Sequence, residues 1–290
     1  RGFAAPALPE AKLYYEKSGR YEFLAQLPVS NAMTRTVAFE TVKAKKFRLE
    51  LVTNDATAEQ RHYGLGVNKL PFNTKQDHHS ISEIRFFNSP LLSLYEQKAG
   101  FSVAQNYDDI RASSQSVALK PDSDIIDISD KLSDNTLIWD APEGDWQIIR
   151  FGYNLTGKKN GPAPAEATGL EVDKLNPDMV KQYFENYLNN YRDDNGLLFP
   201  GISDILSDSI ESGPQNWSPG MEKHFMHRYG YDPTPYLLTF TGRIVNSTQE
   251  SEKFLWDFRN LIAELLVSNY YETIHKNAQE NNLSFYAEAL

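Results

Sequence analysis

From residue 146 onward, the apolar spacing switches between a period of two and a period of three to four. This narrows the possible folds more than any other feature. Trp146-Gln147-Ile148-Ile149-Arg150-Phe151-Gly152 has the length and composition of a strand. A loop rich in glycine and proline follows. Asn176 then stands as an N-cap, with Pro177 at the first helical position. Val180, Tyr183, Phe184, Tyr187, Leu188 and Tyr191 recur as a helical stripe, and Asn195-Gly196 closes the helix. A short strand is expected over 202–207 and a helix over 221–229. The longest helix is expected over about 249–278, opened by Ser247 and Glu250 at capping-box spacing. Phe254, Phe258, Leu261, Ile262, Leu265 and Tyr270 supply its buried face, and 283–287 returns to strand character. This order of strand, helix, strand, helices and strand is the alternation of a parallel sheet with crossovers. About three strands of a (β/α)8 barrel fit into this length.

Residues 1–145 have a different texture. The segments 21–27, 35–39, 47–52 and 81–87 are short alternating runs divided by Gly, Pro, Asn and Asp. They predict half-buried antiparallel strands and hence a β-sandwich, either a sugar-binding jelly roll or a structural spacer. The expected fold is thus mixed: a β-sandwich domain over 1–145, then part of a (β/α)8 barrel over 146–290.

Charge and composition exclude several function classes. The net charge of −10 and a single short basic cluster, Lys43-Ala44-Lys45-Lys46, leave no stripe for nucleic acid or an anionic membrane. No apolar run approaches the ~20 residues of a membrane span. Cysteine is absent, which removes disulfides, zinc–thiolate sites and thiol nucleophiles. Walker, dinucleotide and nucleophile-elbow patterns are missing. His224 and His227 share a helix face without a glutamate at zincin spacing, and read as a surface pair. The chain starts without Met and ends in strand-like sequence, so it is expected to be a piece of a longer protein.

Carboxylates at strand ends carry the chemistry that remains. In Asp204-Ile205-Leu206-Ser207-Asp208-Ser209-Ile210-Glu211-Ser212-Gly213, a strand delivers Asp208 and Glu211 into a loop. Barrel active sites lie at such ends, and glycoside hydrolysis needs two carboxyl groups. An acidic helix start would give the same pattern. Trp217 and Trp256 are candidates for the apolar surrounding that raises the pKa of an acid. Thr168-Gly169-Leu170-Glu171-Val172-Asp173-Lys174-Leu175 alternates charges before a helix. This is either an ion-pair set fixing the helix entry or a source of sugar or metal ligands. Glu288 ends the last strand.

Together these segments resemble a known family. Trp146 to Gly157, the 167–175 stretch, Asp208-Ser209-Ile210-Glu211-Ser212-Gly213, Arg228-Tyr229-Gly230-Tyr231-Asp232, Pro235-Tyr236 and Phe254-Leu255-Trp256-Asp257-Phe258-Arg259 follow one another as in glycoside hydrolase family 106, the inverting α-L-rhamnosidases. The likeness is close over 146–290. It is looser over 1–145, which resembles a sandwich inserted in that family's barrel.

The resemblance implies Glu211 as general acid, supported by Asp208, with the base and further barrel strands outside this chain. It also implies Ca2+ near the sugar, with Glu171, Asp173 and Glu288 as ligands to inspect, and a bacterial periplasmic or surface location. Glu171, Asp173, Trp217 and Glu288 are the substrate-binding candidates. The expected partners are a carbohydrate substrate and the rest of the barrel, and this segment alone is expected to be inactive. Two alternatives stand beside this reading: a diverged member acting on another sugar, and a noncatalytic carbohydrate-binding protein.

Overall fold

The computed structural model describes residues 10–27, 34–52, 80–89, 91–102, 119–160, 163–210 and 213–288. The chain is mixed α/β and divides into two interleaved compact units. One comprises Arg1–Ile125 with Leu238–Lys253, the other Ile126–Leu237 with Phe254–Leu290. The sequence texture changes near 145, whereas the units divide after Ile125, and the first unit takes back a later segment.

In the first unit, strands β1 (Glu10–Lys17), β2 (Arg20–Leu27) and β3 (Phe47–Val52) form a small antiparallel sheet in the order β2-β1-β3. Lys17 pairs with Arg20, leaving a two-residue loop, Ser18-Gly19, with φ of 51° and 79°. Positive φ at both positions matches the right-handed twist of the flanking strands, and glycine is suited to the second. Alternation then sorts the side chains. Ala11, Leu13 and Ala25 are buried. On Tyr14 the ring meets Phe23 edge-on at 5.9 Å, and the Arg48 guanidinium lies 4.8 Å from the Tyr14 ring centroid.

Two four-residue helices follow, α1 (Tyr95–Lys98) and α2 (Pro121–Asp124). The 238–253 segment is tied to this unit by backbone bonds. Leu92 N–H donates to the Gly242 carbonyl at 2.7 Å, and Leu119 N–H to the Ile244 carbonyl at 2.8 Å. Gly242 has φ of 83°, and a Cβ there would stand 2.8 Å from the Tyr95 ring, so only glycine fits. Lys98 is fully buried and donates to Glu252 at 2.7 Å.

The alternating runs at 35–39, 81–87 and 146–152 form no strand. The period-two pattern is present, but no neighbouring strand among the described residues completes a ladder. Ile84, Phe86, Ile148 and Phe151 therefore stay exposed. Trp146 instead donates through its indole to the Pro142 carbonyl at 2.9 Å and packs edge-on against Trp139.

The second unit contains a two-residue hairpin, β4 (Leu132–Ser133) with β5 (Thr136–Leu137), then helix α3 (Pro177–Asn189), strand β6 (Asp204–Ser207) and helix α4 (Met221–Tyr229). Helix α5 (Thr248–Leu265) supplies its first turns to the first unit and the remainder to the second. It runs on through a π-helical turn, Leu266–Tyr271, into α6 (Glu272–Glu280), and strand β7 (Ser284–Ala287) follows. β6 and β7 pair in parallel, Asp204 with Ser284 through Ser207 with Ala287.

Helices α3 and α6 cover this pair through Val180, Phe184, Leu188, Ile274 and Ala278, joined by Leu283 from the link before β7, with Ile205 and Phe285 packed against them from the strands. The Asn176 side chain caps α3, accepting from the backbone N–H groups of Asp178 at 3.1 Å and Met179 at 3.3 Å. The expected α3 stripe is only half buried: Tyr183, Tyr187 and Tyr191 are exposed. They sit one position from the buried row, on the flank of the helix. Asn195-Gly196 does not close α3, which ends at Asn189. It forms the tip of a later turn bridged by Arg192 and Leu198. A second core is aromatic: Phe254 is fully buried, with ring centroids of Phe225 at 5.3 Å, Tyr236 at 5.4 Å and Phe258 at 6.0 Å.

Candidate active site

Parallel pairing places the C-terminal ends of β6 and β7 at one edge of the second unit. Ser207 is opposite Ala287, and the next N–H, that of Glu288, donates to the Ser207 carbonyl at 3.1 Å. Asp208 and Glu288 are thus each the first residue beyond the paired strands, and both are exposed. Asp208 Oδ1 accepts from the N–H of Ser209 at 3.0 Å, an arrangement that holds the carboxylate against its own turn. Glu211, three residues on, lies outside the described residues.

A polar chain runs from this edge into the protein. The Ser207 hydroxyl is 3.1 Å from the Tyr270 hydroxyl and also donates to the Asp208 carbonyl at 3.3 Å. Lys174 Nζ lies 5.8 Å from the Tyr270 ring centroid and is ion-paired with Glu171. Lys174 is buried, with a side chain 8% exposed against 22% for Glu171. Burial pushes the Tyr270 hydroxyl above its ordinary value, and the Ser207 hydrogen bond opposes this.

Asp173 is held more fully. Its Oδ1 accepts from the N–H of Leu175 at 3.0 Å and from the side-chain amide of Gln215. Its Oδ2 accepts from the Ser218 hydroxyl at 2.7 Å. Gln215 Oε1 in turn accepts from the Lys174 N–H at 3.3 Å.

Trp217 is half-buried and stacks on Phe258, with centroids 6.1 Å apart. It lines a shallow apolar depression with Met221, Phe225, Pro233 and Leu237. Trp256 faces solvent, its ring centroid 5.9 Å from the Arg259 guanidinium. The structure therefore brings Asp208 and Glu288 to one edge, and joins Glu171 to that edge through Lys174 and Tyr270. Asp173 and Trp217 belong to the segments flanking it.

The sequence places Lys174 in a possible ion-pair set and Tyr270 on a buried helix face, but does not join them to Ser207. The i,i+3 spacing of Glu171 and Lys174 was a usable signal for the ion pair. The helical spacing places Tyr270 on the inner face, where it packs against the core, but does not identify Ser207 as its partner.

Calcium takes about six to eight oxygens. Among the described residues, no three His, Asp or Glu side chains converge to hold a metal. Glu171 faces an ammonium, and both oxygens of Asp173 already accept protein donors. Glu171 and Asp173 are thus already engaged by protein partners, which does not fit them as calcium ligands. His224 and His227 are exposed on α4. No helix among the described residues is long and apolar enough to cross a membrane.

The profile of glycoside hydrolase family 106, described as alpha-L-rhamnosidase, matches residues 16–290. The chain belongs to this family. A rhamnosidase from Novosphingobium sp. PP1Y has a similar structure, with a TM-score of 0.73 and 31% identity over 97% of this chain. A protein of Formosa agariphila carrying the name of a β-glucuronidase is 38% identical over 170 residues, 57% of this chain. The chain spans 25% of the first and 14% of the second.

Proposed function

We propose that this chain forms part of a glycosidase site that cleaves terminal α-L-rhamnosyl linkages of plant polysaccharides or glycosides with inversion. The observation that carries the reading is the shared edge formed by the ends of β6 and β7, with Asp208 and Glu288 beyond it, in a chain of the α-L-rhamnosidase family. In this reading Glu211 protonates the glycosidic oxygen, and Asp208 orients the substrate or the acid. A second carboxylate, outside this chain, activates water on the opposite face of the sugar. Glu288 faces sugar hydroxyls, Glu171 presents to the sugar the carboxylate oxygen not paired with Lys174, Trp217 offers an apolar face, and Asp173 acts through the loop it holds.

The same proposal includes completion of a (β/α)8 barrel by the rest of the protein, a sandwich built on the N-terminal sheet, and export to the periplasm or cell surface. Calcium, where the full-length protein uses it, takes ligands other than Asp173.

A second reading keeps the family and changes the sugar. The relative named as a β-glucuronidase supports it, since loop changes redirect a barrel's specificity. Incubating the full-length protein with aryl α-L-rhamnoside and aryl β-glucuronide separates the two readings. Release of β-L-rhamnose as the first anomer, followed by NMR, is the expected result. Release of the α anomer contradicts inversion, and glucuronide cleavage alone selects the second reading.

A further inference from the structure

The end of β6 and residues 215–218 are both linked to one short segment, residues 171–175, the first through Tyr270 and the second directly. At the end of β6, Ser207 meets Tyr270, whose ring lies beside the buried Lys174. At 215–218, Gln215 and Ser218 both donate to Asp173. The helix that supplies Tyr270 is widened there into the π-helical turn Leu266–Tyr271. In this turn two consecutive side chains make inward bonds: Asn269 donates to the Leu175 carbonyl at 2.8 Å, and Tyr270 reaches Ser207. Through these adjacent side chains the π turn ties the helix both to the end of the 171–175 segment and to the end of β6.

We propose that residues 171–175 and Tyr270 together form a two-point clamp, with Asp173 and Tyr270 as its positioning residues, fixing where the chain leaves β6 and where it returns at 215–218. The catalytic consequence rests on the glycosidase reading, because the clamped stretch carries Asp208. Asp173 makes charge-assisted bonds at one point, and Tyr270 makes a neutral bond at the other, so the first is the stronger. Neither residue needs to touch the sugar. A displacement of about 1 Å at reacting groups costs on the order of 100-fold in rate.

The test uses the full-length protein with Asp173→Asn and Tyr270→Phe. Hydrogen exchange is read in peptides covering 203–210 and 213–220, and kcat and KM are measured separately. The expected result is faster exchange in 213–220 for Asp173→Asn, by about 10-fold or more, and about 5-fold faster exchange in 203–210 for Tyr270→Phe. kcat falls about 10- to 100-fold with KM nearly constant, and melting of the protein is little altered. Unchanged exchange in both variants overturns the clamp. Faster exchange with unchanged kcat overturns its positioning role. If the wild type cleaves no glycoside, the sugar reading falls, and exchange alone still decides the clamp.

Discussion

Removing Glu171 alone should harm the protein more than removing Lys174, and removing both should harm it least. The Lys174 side chain is 8% exposed and its partner 22%. Deleting one member of a buried pair costs about 3–5 kcal/mol, because the survivor is left charged in a poor solvent. Two features soften this for Glu171→Ala. Some water already reaches the pair, and the Tyr270 ring continues to attract the ammonium. A loss of about 2–3 kcal/mol remains. Lys174→Met keeps the volume and leaves a carboxylate that is closer to solvent, at a cost of about 1 kcal/mol. The double variant should lie within about 1 kcal/mol of wild type. With about 2–4 °C per kcal/mol for a unit of this size, Glu171→Ala lowers Tm by roughly 4–12 °C. Scanning calorimetry of the four full-length proteins reads the cycle. A Glu171→Ala variant that melts within 1 °C of wild type, or a Lys174→Met variant that falls as far, refutes the argument.

Glu96 gives a pH-dependent prediction for the first unit. Burial raises its pKa above the ordinary 4.5, and the Thr36 hydroxyl, donating at 2.6 Å, offsets only part of this. The folded state therefore holds the proton more tightly than the unfolded state. This contribution is complete below the ordinary carboxylate range and is lost as pH rises through the raised folded value. Melting followed from pH 4 to 7 should show that loss in wild type, and Glu96→Gln should flatten it; a steeper decline in the variant contradicts the assignment. Asn176→Ala removes the cap of α3 and should cost about 1 kcal/mol, read by urea denaturation, whereas no loss would mean that the cap bonds are replaced by water. Asp173→Asn should leave any calcium-induced shift in the melting of the full-length protein unchanged, and abolition of the shift would make Asp173 a ligand.

The parts legible in the sequence are those fixed by local chemistry. Asn176 before Pro177 marked the start of α3, and residues 221–229 matched α4 because Gly230 closes it with φ of 75°. The segments that became β6 and β7 were recognised, and their parallel pairing followed from the helices between them. Ladder partners were not legible. Residues 35–39, 81–87 and 146–152 alternate as strands do, yet alternation specifies a face and not a neighbour. The division at Ile125, with 238–253 belonging to the first unit, depends on long-range backbone bonds such as Leu92 to Gly242. The π turn has the composition of an ordinary helix and leaves no mark in the sequence. At the edge of β6, Asp208 and Glu288 were readable as strand-end carboxylates. The Lys174–Tyr270–Ser207 chain was not, because it joins residues far apart in sequence.

The most direct test of the functional account is L-rhamnose release from an aryl α-L-rhamnoside by the full-length protein, wild type against Glu211→Gln. General-acid assistance is worth about 100- to 10,000-fold, so the account predicts that wild type releases rhamnose and the variant loses about 100-fold or more. Equal turnover by the two proteins would remove Glu211 from the mechanism and contradict the reading of this site.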